Sequence, residues 1–123
     1  MAGFVRDSAI RNITYQGTPI SSLNGAGAYN SDPLDVSTFV EAIAFINLSA
    51  QTGTSPTLDC KIQYSADQVN WIDSGDSFTQ MTTITGVFIK KLTANFGKYI
   101  RFVFTLGGTT PVYTITPQVA LKA

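Results

Sequence analysis

The chain has 123 residues, enough for one domain with a real core and too few for two ordinary ones. Leu, Ile, Val and Phe supply 34 of them, which excludes a disordered chain, and sixteen Thr and eleven Ile against one Glu favour strands over helices. Eight basic residues balance eight acidic ones with no cationic cluster, which argues against nucleic-acid binding, and the lack of His removes the commonest general base and every His-based zinc site.

Residues 1–28 differ in pattern from the rest of the chain. Phe4, Val5, Ile10, Ile13, Tyr15, Ile20 and Leu23 keep neither a helical nor a strand period, and Ser21 to Ala28 has a flexible composition. Two readings stay open. One is an N-terminal arm that docks onto another chain through Phe4, Val5, Ile10 and Ile13; the other is an edge strand beginning at Ile13 and Tyr15. The domain division is therefore 1–28 as arm or edge segment and 29–123 as the folded body. Arg6, Asp7, Arg11 and Asn12 interrupt any apolar run of signal-peptide length, so synthesis in the cytoplasm without a cleaved export signal is expected. No run is long enough to span a bilayer, and no membrane role is expected.

Ala28-Tyr29-Asn30 reads as a short strand entering a turn at Ser31-Asp32-Pro33. A longer strand is expected from Phe39 to Ser49, where Val40, Ala42, Ala44, Ile46 and Leu48 alternate with Phe39, Glu41, Ile43, Phe45 and Asn47. Both of its faces are largely apolar, as in a central strand or one that faces a partner. Residues 51–56, QTGTSP, predict a closing loop.

The stretch from Thr57 to Phe78 predicts a hairpin. Leu58, Cys60, Ile62 and Tyr64 share one face, Ser65 to Asn70 supplies turn chemistry, and Trp71 stands at the return. Residues 79–86 read as a loop or irregular strand, and Gly86 to Leu92 as a strand on which Lys90 and Lys91 point to opposite faces. Tyr99 to Leu106 alternates cleanly, with Ile100, Phe102, Phe104 and Leu106 inward. Gly107 to Pro111 predicts a turn into a last strand, Val112 to Lys122, with Tyr113, Ile115, Val119 and Leu121 inward. These two strands form a second predicted hairpin, and Pro117 marks an edge or a bulge in it. About seven strands with frequent turn signals and no helix indicate an all-β fold, a single β-sandwich of jelly-roll-like type.

Catalytic and metal chemistry find little support. Glu41, Asp59, Asp67, Asp73 and Asp76 could form a carboxylate pair, but Glu41 and Asp59 are placed on different strands and the others in turns. Asp73-Ser74-Gly75-Asp76 could lend two oxygens to calcium, yet it lacks the further acidic positions of such a loop and reads as a plain turn. Cys60, alone in the chain, reads as a small buried hydrophobe. No catalytic residue, cofactor or metal is expected. A sugar-binding alternative rests on Trp71 with Tyr64, since exposed aromatics on a sandwich rim stack on sugar rings; against it, Trp71 could close the hairpin mouth and cover one end of the core. Arg101 beside Tyr99 fits either a subunit contact or a solvated face.

The pieces SDPLDVSTFVEAIAFINLSAQTGTSPTLDCKIQYSADQVNWIDSG and FGKYIRFVFTLGGTTPVYTITPQVALK together cover most of residues 31–122. With their Thr-Gly-Thr-Ser-Pro stretch, Tyr-Ser-x-Asp-x-x-x-Trp turn and Lys-Tyr-Ile-Arg strand, the chain resembles small β-sandwich virion proteins of phages. That resemblance implies a non-enzymatic particle component: a capsid decoration protein that binds the major capsid protein and stabilises the head shell. It also implies self-association, commonly as a homotrimer, an N-terminal arm in contact with the shell or a neighbour, and a place on the capsid surface. A tail or baseplate accessory is the neighbouring possibility.

Overall fold

In the computed structural model, residues 13–16, 20–37, 39–82, 85–93 and 98–122 are described. They contain eight strands and no helix: β1 (Ile13–Gln16), β2 (Ile20–Asn24), β3 (Gly27–Asn30), β4 (Leu34–Asp35), β5 (Glu41–Ser65), β6 (Ile72–Ser77), β7 (Gly86–Lys91) and β8 (Tyr99–Lys122).

Two long strands form the frame. β5, of 25 residues, and β8, of 24, run antiparallel along nearly their whole length, from Glu41 opposite Lys122 to Ser65 opposite Tyr99. The N-terminal segment lies along the outer side of β8. β1 pairs with residues 118–121, β2 with 112–115, β3 with 103–106 and β4 with 99–100. On the outer side of β5, β7 covers residues 43–48 and β6 covers residues 61–64. The edge-strand reading of Ile13 and Tyr15 is thus the one seen from residue 13 onward.

The structure corrects the two turns expected in the middle of these strands. Residues 51–56 do not close a strand, and Gly107 to Pro111 does not turn a hairpin; both stretches stay inside β5 and β8. They pair with each other through three register shifts, between Leu48 and Ala50, Thr52 and Thr54, and Thr54 and Thr57. Gly53, Ser55, Gly108 and Thr110 all take left-handed backbone here. Each extra residue bends its strand and steepens its twist, so the same Gly, Ser and Thr chemistry that makes turns makes a bend without reversal. A Cβ on Gly108 would lie 2.5 Å from the Ser55 carbonyl oxygen, and one on Gly53 2.8 Å from that of Thr110, so glycine is needed for the strands to cross this closely.

The bend divides the sheet into two layers. The first holds residues 41–52 and 112–122 with β1, β2 and β7; the second holds residues 57–65 and 99–107 with β3, β4 and β6. Ala42, Ala44, Ile46 and Leu48 of the first layer, and Leu58, Cys60, Ile62, Phe102 and Phe104 of the second, belong to one buried core. Tyr113 of the first layer sends its hydroxyl 3.1 Å to the carbonyl of Thr82, next to Met81, which is bridged to Leu58 of the second. The architecture is therefore a β-sandwich made by folding one sheet over itself.

The bulge that Pro117 could have marked is not seen. Pro117 is buried in β8 opposite Ile46, with no register shift there, but it falls in the interval between the residues paired to β1 and those paired to β2.

Candidate functional surfaces

The outer faces of the two layers differ in chemistry. In the second layer, residues with odd numbers on β5 and β8 point away from the core, which brings Arg101 beside Gln63 in register. Arg101 donates from Nε (3.0 Å) and Nη2 (2.8 Å) to Oε1 of Gln63, and its guanidinium lies 4.3 Å from the centre of the Trp71 ring. Gln63 in turn donates to Asp73 (2.8 Å), which also pairs with Lys61 at 3.1 Å. A polar ladder therefore runs Trp71, Arg101, Gln63, Asp73, Lys61 across β8, β5 and β6. The side-chain bonds from Gln63 and Lys61 hold the Asp73 carboxyl below its ordinary range.

Trp71 is half-buried and donates from Nε1 to the Gln68 carbonyl at 3.3 Å. It rests on the outer face under Arg101 and is not a lid on the core, which corrects the core-covering reading. Tyr64 goes the other way. Its ring packs against the core and its hydroxyl donates to the Thr93 carbonyl at 3.2 Å. The two aromatics have separate partners and do not make a shared stacking platform. For Arg101, the place on Trp71 is a third arrangement beside the subunit contact and the solvated face, visible only once the β5–β8 register is known.

The turn that presents Trp71 is built from side chains, as its sequence predicts. Ser65 Oγ accepts the N–H groups of Asp67 and Gln68, and Asp67 Oδ1 accepts those of Val69 and Asn70, both at 2.8 Å. Those backbone donors, with the Asn70 side chain, pull the Asp67 carboxyl far below the usual carboxylate range.

The expected turn at Asp73 to Asp76 is instead strand β6, bulged at Gly75, which has left-handed backbone. Asp73 faces Gln63 and Lys61. Asp76 is buried and accepts from the Thr93 N–H (2.9 Å) and hydroxyl (3.0 Å). The two carboxylates thus serve separate partners and do not converge on one ion. Glu41 and Asp59, expected on different strands, share β5 but stand in different layers, and Asp59 accepts from the Gln80 amide. Among the described residues no three acidic or Cys side chains gather around a common point. Cys60 is buried, and burial raises its thiol well above the ordinary value.

The outer face of the first layer is mostly polar but carries an apolar patch where β5 meets β7. Val87 and Ile89 of β7 are 61% and 59% exposed, and they lie opposite Asn47 and Phe45 of β5, with half-buried Ile43 next in the row. A groove of about 300 Å³ continues this patch towards the chain end of the layer, lined by Val40, Ala42, Ile43, Leu92 and Ala120 together with the charged Glu41, Lys91 and Lys122. Both apolar faces of the Phe39 to Ser49 strand were legible in the sequence. That β7 extends this apolar surface was not, because it depends on which strand pairs with β5.

Of the residues expected to bind a partner, Phe4, Val5 and Ile10 lie outside the described residues. Ile13 is placed by its backbone in β1, opposite Leu121. Residue 13 enters the sheet beside Lys122, the same end of the layer as the groove.

No family model matches the chain, and no curated protein matches it in sequence. Solved structures do share its fold. PBSX exported protein XepA is similar over 90% of this chain at 12% identity, with a TM-score of 0.61 and a match to 37% of its own length. The VP2 subviral particle of infectious bursal disease virus is similar over 90% of this chain at 12% identity, with a TM-score of 0.51 and a match to 32% of that chain. The chain thus spans about a third of each of these structures. At such identities the likeness is one of fold: an all-β body also used in a viral particle.

Proposed function

We propose that this protein is a phage virion structural component, a non-enzymatic capsid decoration protein that binds the head shell and stabilises it. The observation that carries the reading is the solvent-facing apolar surface of Val87, Ile89, Phe45 and Ile43, continued by the groove beside Lys122. Exposed large hydrophobics gathered on one sheet face, and not scattered singly, are what protein contact surfaces provide. The sequence resemblance to small phage virion proteins and the fold shared with VP2 support the same reading. In it the partners are the major capsid protein and further copies of this chain, as in the homotrimers that the resemblance implies, and the site of action is the capsid surface.

The test is co-sedimentation with preformed shells, using the full chain and a version lacking residues 1–12. That deletion removes Phe4, Val5 and Ile10 while leaving β1 on β8. Binding by the full chain and its loss on truncation are the expected results. Undiminished binding by the truncated chain would remove the arm from the mechanism, and no binding by the full chain would remove the decoration role.

A second reading is favoured by one observation: a half-exposed indole next to the polar ladder of Arg101, Gln63, Asp73 and Lys61. That combination of aromatic face and fixed hydrogen-bonding groups suits a sugar. In this reading Trp71 acts without Tyr64, and Trp71→Ala abolishes glycan binding in a folded protein. Absence of any glycan binding by the unaltered chain would dismiss it.

A further inference from the structure

β7 has β5 on one side and, among the described residues, no strand on the other. The direction of its free backbone groups follows from one hydrogen bond. Leu92 donates its N–H to the Ala42 carbonyl at 3.0 Å, continuing the register in which Lys91 lies opposite Ile43. Backbone groups alternate sides along a strand. Leu92, Lys90 and Phe88 therefore direct theirs to β5, and Lys91, Ile89 and Val87 direct theirs outward. Three N–H and three C=O groups form an open edge, next to the apolar face that Val87 and Ile89 present.

We propose that this edge pairs with the same edge of a second copy, antiparallel about a twofold axis through Ile89. The register is chosen by the chemistry of the strand. Centred on Ile89, it sets Ile89 opposite its own counterpart and Val87 opposite Lys91, so all three outward residues meet outward residues and all six groups are bonded. The lysines decide the direction. Parallel in-register pairing would set Lys90 and Lys91 against their own copies, and an antiparallel register centred on Lys90 would set Lys90 against its own copy; like charges directly opposite are destabilising. The lysines at one end of β7 thus guard against open-ended stacking while leaving the closed twofold pair available. Pairing also joins the two Val87, Ile89, Phe45 and Ile43 surfaces into one apolar face for a shell. The inference deepens the self-association in the reading above by giving it a surface and a symmetry, and it needs no shell.

Light scattering of the full chain at about 100 µM, where small interfaces become populated, tests it. A dimer, or a hexamer if twofold contacts join trimers, is expected. Val87→Lys places a third positive charge against Lys91 of the other copy and should halve the mass, with the effect weakening as salt rises. Adding Lys91→Glu to Val87→Lys makes those facing positions opposite in charge and should restore it. Both positions are exposed, so neither variant threatens folding. A monomer or trimer for the unaltered chain, a mass indifferent to Val87→Lys, or failure of the double variant to recover would overturn the pairing. None of these results depends on shell binding, so that role and this contact stand or fall separately.

Discussion

The surroundings of Asp67, Asp73 and Asp35 favour their charged form: Asn70 and Val69 N–H groups on Asp67, Gln63 and Lys61 on Asp73, and Ser37 on Asp35. A carboxyl lowered in the folded state stabilises the fold fully above its unfolded value, and that contribution is lost as pH falls through the folded value. The ordinary value is 3.8, so the contribution of these three groups should be constant well above it and decline in more acidic solution. Asp67→Asn removes one such group, and chemical denaturation at stepped pH should show a shallower acid decline for that variant. An unchanged slope would mean that the turn is not ordered in solution. Cys60 follows the opposite physics. Buried among Ile62, Phe104 and Leu58 with its thiol held protonated, it should not react with a thiol reagent in the native protein and should react fully in denaturant. Reaction at native rates typical of an exposed thiol would contradict its place in the core. The alternation in the sequence already pointed to that place, because period-two burial is a local property of a strand.

The bend is where local chemistry misleads. Alternation correctly marked the inward rows 58, 60, 62 and 100, 102, 104, 106, and also 113, 115, 119 and 121. It could not show that the segments are joined into two strands, since Gly, Ser and Thr in left-handed conformations serve a reversing turn and a bulge equally well. The deciding fact is long-range: residues 51–56 and 107–111 face each other, so neither needs to reverse. The same limit hid the Trp71–Arg101 stack, which exists because Gln63 lies opposite Arg101. Gly108 makes the bend testable. Its left-handed backbone and the 2.5 Å clash of an added Cβ with the Ser55 carbonyl predict that Gly108→Ala costs about 1–3 kcal/mol. Gly25, also left-handed but with open space around its Cβ position, lacks the clash, so Gly25→Ala should cost less. Equal losses in denaturant titrations would show that the close crossing of β5 and β8 adds no constraint beyond backbone strain.

For the whole molecule, what matters is how far the two long strands are covered along their edges. Among the described residues β1 to β4 run down one side of β8, and β6 and β7 cover residues 61–64 and 43–48 on the far side of β5, so most of the length of both strands is covered. Natural sheets are expected to keep their edges short because long free edges recruit other chains. The N-terminal segment pairs with β8 from Ile13 onward. This separates two truncations. Removing residues 1–12 should leave the melting temperature unchanged, because the pairing of Ile13 with Leu121 survives. Removing residues 1–16 uncovers β8 at residues 118–121 and should lower the melting temperature by at least about 4 °C, the shift that ~1 kcal/mol produces in a domain of this size. It should also raise light scattering as the bared edge recruits neighbours. If the longer truncation melts like the full chain, β1 does not hold its place on β8, and loss of shell binding on deleting residues 1–12 could no longer be ascribed to the arm alone. If the two truncations separate as expected, shell binding lost with residues 1–12 reports on Phe4, Val5 and Ile10 and not on a weakened sandwich.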